Sequence, residues 1–262
     1  MGRSPRIEFA GALYHVMSRG NRQEDIFFDD RDRRVFLDAI DEVCGRTGWI
    51  IHAYVLMRNH YHLLLETTEP NLVDGMRWLQ GTYTKRFNMR HKLWGHLLQG
   101  RYKALVIDPQ KEYFRTVGDY IHLNPARAHC FDLTKAPLES FLWSSYPCYL
   151  FPRSRPAWLD AKRLLGAHGF ADDEAGRSRF EESTRFRVRQ LIESTNPMEF
   201  DDDWKSIRRG WVYGDEAYKK SLKKIIGERT AVHARNSYSV DAINSHDEQA
   251  AERMLAEGLS LF

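Results

Sequence analysis

The chain has 262 residues, 42% hydrophobic and 29% charged, with a formal net charge of +3. That is enough for one large domain, or an ordinary domain plus an extension, with a well-stocked core. A transmembrane helix, a secretory signal and a disulfide framework are not expected: no apolar run reaches about 18 residues, Met1 to Arg6 leads into no secretory apolar stretch, and the three scattered cysteines suit a reducing cytoplasm.

Leu13 to Ser18 mixes aromatic and β-branched residues and ends at the turn signal Arg19-Gly20-Asn21, which predicts a strand. Asp29-Asp30 opens a helix in which Val35, Phe36, Ala39, Ile40 and Val43 recur at helical spacing, until Gly45 and Gly48 stop it. Trp49 to Met57 predicts a second strand, and Arg58-Asn59 a tight connection into a third over His60 to Thr67. Asn71 is read as the cap of a helix reaching about Arg90, and Arg101 to Ile107 as a fourth strand. A last helix runs from about Pro109 to Asn124, expected to end before Pro125 because a residue preceding proline is pushed out of the helical region.

The order β-α-β-β-α-β-α predicts an α+β fold: a ferredoxin-like split βαβ domain over residues 1–130, with an antiparallel sheet covered by helices on one face, the other face or an edge left for a ligand, and an extra helix. Residues 131–170, rich in aromatics, read as a connecting segment packed on that domain. Residues 171–262 read as a small, mostly α-helical C-terminal domain, with helices over 173–194, 214–227 and 246–257. A helix-turn-helix is a weaker reading of that region, because it is not net basic.

Two stretches carry the chemistry. In a strand, His60 and His62 share one face, and two adjacent imidazoles are half a metal site. On the last helix, Tyr113, Val117, Tyr120, Ile121 and Asn124 share a face, so the Tyr120 hydroxyl and the Asn124 amide approach one spot. If that spot lies near the histidines, a divalent ion on His60, His62 and Asn124 would polarise a phosphate, and Tyr120 would be the nucleophile. Mixed nitrogen and oxygen ligation without sulfur points to Mg²⁺ or Mn²⁺. Alone, Tyr120 reads rather as a core aromatic, and a His-x-His pair more often as a pair that binds nothing.

No acidic residue lies between Asp74 and Asp108, where Arg77, Lys85, Arg86, Arg90, Lys92, Arg101 and Lys103 alternate with Trp78, Tyr83, Phe87, Trp94 and Tyr102. Cations neutralise phosphates and aromatic faces stack unpaired bases. The competing reading is an amphipathic helix with its aromatics in the core.

The chain resembles the HUH-type single-tyrosine transposases, and among them the REP-associated tyrosine transposases. The resemblance rests on Tyr14-His15-Val16 with Arg19-Gly20-Asn21, on Leu56-Met57-Arg58-Asn59-His60-Tyr61-His62-Leu63-Leu64, on Gln99-Gly100-Arg101-Tyr102-Lys103, and on Tyr120-Ile121-His122-Leu123-Asn124-Pro125-Ala126-Arg127. It spans roughly residues 8–150. It implies a metal-dependent, sequence-specific single-stranded DNA endonuclease and strand transferase acting beside hairpins through a 5′-phosphotyrosine. His60 and His62 match the metal-binding histidines, Tyr120 the catalytic tyrosine, and Asn124 the polar ligand one turn later. Arg58 stands where the family usually has proline, which adds charge beside the site. Arg19, Arg58 and the basic residues of the acid-free window are the expected DNA contacts. The expected location is the cytoplasm, at the nucleoid, with a monomer and a dimer both open. A non-catalytic DNA- or RNA-hairpin regulator is the alternative. An unrelated RNA-binding module is disfavoured because the fourth strand lacks an aromatic-Gly-aromatic pattern.

Overall fold

The computed structural model describes residues 7–128, 130–131, 135–193, 207 and 211–224. The helix expected over 246–257 lies outside them. Strand β1 (Ala12–Arg19) is followed by α1 (Asp30–Thr47), β2 (Ile50–Met57), β3 (His60–Thr67), α2 (Leu72–His91), β4 (Lys103–Ile107) and α3 (Lys111–Arg127). Helices α4 (Tyr146–Leu150), α5 (Lys162–Ala167) and α6 (Glu174–Glu193) come next, then a short strand β5 (Val212–Tyr213) and helix over 216–224.

The first four strands pair antiparallel in the order β2-β3-β1-β4, as a split βαβ unit requires. Two features depart from expectation. β5 adds a fifth strand parallel to β4, with Val106 and Asp108 donating to the Trp211 and Tyr213 carbonyls (2.9 and 2.8 Å). Of the two places expected for a ligand, the second face or an edge, the second face is covered: α3 lies on it, backed by α4, α5 and α6.

Strand alternation divides the core. Tyr14, Val16, Tyr61, Leu63 and Leu65 face α1 and α2, where Phe36, Ile40, Leu79, Tyr83 and Phe87 complete one apolar cluster. Leu13, Val55, Met57, Leu64, Leu105 and Ile107 face α3, against Phe114, Val117, Tyr120 and Ile121. A bulge between Ile51 and Ala53 leaves His52 unpaired in the ladder, within reach of Glu66 at 3.3 Å. Helices α1 and α2 approach closely enough to the sheet edge that Gly75 is required: a Cβ there would sit 2.1 Å from the Trp49 ring.

Two local readings change. Asn71 does precede α2, but its side chain makes no cap bond; it accepts from Trp49 Nε1 (2.8 Å) and donates to the Thr47 carbonyl (2.8 Å), tying α2 to the end of α1. α3 does not stop before Pro125. It continues to Arg127, with Ala128 N donating to the Asn124 carbonyl. A proline inside a helix forfeits one backbone bond and strains the turn before it; here the buried packing of Ile121, Leu123 and Ala126 holds that turn in place.

Candidate functional site

The site lies at the end of the α3-facing side of the sheet where β1 and β2 finish and β3 and β4 begin. Arg19 is paired across the ladder with His60 and Met17 with His62, so β1 supplies the neighbouring column. His15 pairs with Leu64 and is therefore a diagonal neighbour of His62 on the same face.

The two histidines and the tyrosine do meet. The His60 and His62 rings are 5.2 Å apart, centre to centre, and the Tyr120 ring stands edge-on to His62 at 5.5 Å. Tyr120 is only 4% exposed, and Asn124, one turn on, is also buried. Two residues missed by sequence reasoning complete the group. His15 Nε2 is 2.9 Å from His62 Nδ1, and its ring is 5.6 Å from that of Tyr120. Arg127, two turns after Tyr120, lies 5.3 Å above the Tyr120 ring. The signal for His15 was a histidine on the adjacent strand, legible only once the register is known. The signal for Arg127 was hidden by ending the helix at Pro125.

The histidines are set up as neutral donors. Asn59 Nδ2 donates to the Gln23 carbonyl (3.0 Å), which turns Asn59 Oδ1 toward His60 Nδ1 at 2.7 Å. An amide oxygen only accepts, so His60 holds its proton on Nδ1 and leaves an Nε2 lone pair. Burial, reinforced by the nearby Arg19 charge, pushes His60 down to about 4. Burial drives His62 well below the ordinary imidazole value, with His15, His60 and Arg127 adding to it. His15, buried near Lys103, falls to about 3. At neutral pH all three rings are uncharged, the form that binds a metal. Among the described residues no group of three or more His, Cys, Asp or Glu side chains is placed to hold an ion. The residues fit a hard or borderline cation drawing on two imidazoles and completing its shell from an amide or water.

The back of α3 is held by the later helices. Asp119, next to Tyr120 in the chain, is buried, takes an ion pair from Arg187 of α6, and lies 3.1 Å from His168 Nε2. Gly118 faces Leu164 of α5, where a Cβ would come within 2.6 Å. His122 points away from the site and contacts Ser145 Oγ at 2.8 Å.

The basic residues fall into different settings. Arg19 is exposed beside His60, and Lys103 begins β4 opposite Met17. Arg58 pairs with Asp25 (2.9 Å) and Arg77 with Asp74 (2.8 Å). Arg86 is held by Glu42 of α1 (2.8 Å), and Arg90 by Asp29 and Asp32. Lys85, Lys92 and Arg101 are exposed. The window is acid-free along the chain but not in space. Its aromatics also divide: Tyr83, Phe87 and Tyr102 are core, Trp78 lies under Arg46 at 5.1 Å, and Trp94 is 92% exposed. No helix among the described residues is long and apolar enough to cross a membrane.

Residues 9–124 match the model of the family described as IS200-like transposases. No curated protein matches the chain. A solved REP-associated tyrosine transposase bound to a REP hairpin is similar over 62% of this chain and 93% of its own, at 20% identity and a TM-score of 0.48. A putative transposase from Deinococcus radiodurans is similar over 43% of this chain and 88% of its own, at 18% identity and a TM-score of 0.32. The family match thus spans residues 9–124, fewer than half of the 262 residues, and marks that stretch as similar to the IS200-like transposases.

Proposed function

We propose that this IS200-like transposase domain is a metal-dependent single-strand DNA endonuclease and strand transferase that acts beside DNA hairpins. The observation that carries the reading is the meeting of Tyr120 with His62, at a ring separation of 5.5 Å, beside His60, whose ring is 5.2 Å from that of His62, at one end of the sheet. Binding alone needs no such set, so the regulator reading has no observation in its favour.

His60 and His62, through Nε2, and the Asn124 amide oxygen would hold Mg²⁺ or Mn²⁺, which when bound supplies Lewis-acid polarisation of the scissile phosphate. The chain's own residues do the rest. Tyr120 gives up its phenolic proton and attacks phosphorus, the P–O3′ bond breaks as a phosphotyrosine ester forms at the 5′ side, and the departing 3′ oxygen takes up one proton, so that the step is proton-neutral. A second attack by a 3′-hydroxyl on that ester returns Tyr120 and joins the strands, with no net bond energy consumed. Arg127, 5.3 Å over the Tyr120 ring, adds positive charge beside the nucleophile. Arg19 beside His60, with Lys103 across the sheet, supplies positive charge to the phosphate backbone.

The test is incubation with single-stranded hairpin oligonucleotides and Mn²⁺, followed by a denaturing gel. A covalent protein–DNA band that requires Mn²⁺ supports the reading. Cleavage without an adduct, or adducts that persist in Tyr120→Phe, would show that another group attacks.

A further inference from the structure

We propose that His15 is a positioning residue for His62: it accepts the His62 Nδ1 proton and so fixes the tautomer in which His62 Nε2 can bind the metal. The proposal rests on the assignment of His62 as a ligand made above.

Each histidine of the pair needs its Nδ1 proton engaged, because a neutral imidazole that offers Nε2 to a cation must carry hydrogen on the other nitrogen. His60 has Asn59 for this task, itself anchored on the Gln23 carbonyl. For His62 the partner is His15 Nε2, at 2.9 Å. The arrangement is rigid. His15 is wholly buried in the central strand β1, and its ring is nearly parallel to that of His62, at 5.1 Å and 26°. The two positions are diagonal neighbours across the β1–β3 ladder, so the contact is built into the register.

His15 is not a third ligand. Its Nε2 is committed to His62, and the described residues hold no cluster of three such side chains suited to a metal. When His15 accepts at Nε2, its own proton moves to Nδ1, a buried atom with no hydrogen-bond partner among the described residues. A buried polar atom left without a partner is costly and is retained where a function uses it. With metal at His62 Nε2 the proton between the rings must sit on His62 Nδ1.

The experiment is a Mn²⁺ titration of the full chain, read by EPR in the absence of DNA, alongside thermal melts. His15→Phe keeps a ring but offers no acceptor, and Mn²⁺ affinity is expected to fall about 10- to 100-fold, the range for losing such a partner. His15→Gln restores an acceptor oxygen and should recover most of that loss. Unchanged affinity in folded His15→Phe, or loss in both variants alike, would overturn the proposal. His62→Ala separates the two readings: if it too binds Mn²⁺ normally, the ligand assignment fails, whereas loss there with normal His15→Phe sinks only the present inference. Nitrogen-15 NMR of the imidazoles in the Mg²⁺-loaded wild type needs no mutation. It should show His62 protonated at Nδ1 and His15 bare at Nε2; the opposite tautomers would refute the assignment.

Discussion

One sheet serves two purposes on its two faces, and β3 shows how. Tyr61 lies between His60 and His62 in sequence but points to the other side, into the cluster of Phe36, Tyr83 and Phe87. There three tyrosine hydroxyls are matched: Gln80 donates to the Tyr61 hydroxyl (2.9 Å), Tyr14 donates to the Ile7 carbonyl (2.9 Å), and Tyr83 to the Ile26 carbonyl. On the α3 face the same strands carry three imidazoles, with the Tyr120 ring of α3 against two of them and His15 Nδ1 without a partner among the described residues. Strand alternation lets eight residues build a closed core and an open chemistry without mixing them.

That division is breakable. The largest effect is expected from Tyr120→Phe: no covalent adduct, with hairpin affinity and melting temperature close to wild type. An adduct retained in this variant places the chemistry elsewhere. His60→Ala or His62→Ala should abolish Mn²⁺ stimulation of cleavage while the fold survives, as seen by circular dichroism; stimulation that persists moves the metal off β3. On the opposite face, Phe36→Ala should cost about 3–5 kcal/mol in urea unfolding, yet leave adduct formation per folded molecule unchanged. If adduct formation falls with folded fraction held constant, the faces are coupled.

A smaller effect comes from pH. Burial holds His15 and His60 at about 3 and 4, below the ordinary value near 6.5 that they regain on unfolding. Between those limits the unfolded chain binds more protons, so stability is full above about 6.5 and falls as pH drops toward 4. Urea midpoints at pH 7.0, 5.5 and 4.5 should show the decline, and His60→Gln should flatten it. The smallest effect separates the cations of α2: Lys85→Ala should lower the salt dependence of hairpin binding by about one phosphate contact. Arg90→Ala, which removes a cation already paired with Asp29 and Asp32, should change stability more than the salt slope.

Local rules made the first four strands, the first two helices and the His60/His62 pair legible, because period two and period 3.6 are written in consecutive residues. The shared face of Tyr120 and Asn124 was legible for the same reason. What escaped depends on contacts between distant segments. Val212 and Tyr213 make a strand only because β4 offers an edge to them. Arg86 and Arg90 meet their carboxylates across the α1–α2 packing, which no window along the chain reveals. His15 joins His62 through a register set by eight residue pairs. Pro125 signalled a helix end, and tertiary packing overrode it.

The ion pair between Asp119 and Arg187 reaches across 68 residues, from the nucleophile's neighbour to a helix beyond the family match at 9–124. Its consequence is one of modularity. A chain cut after residue 130 would keep every residue of the proposed chemistry. It would also strand the Asp119 carboxylate without its cation and bare the surface where Gly118 meets Leu164. The minimal unit that holds Tyr120 against His62 therefore extends to α6, and the gene segment that can be exchanged as one working piece is longer than the segment that is recognisable as one.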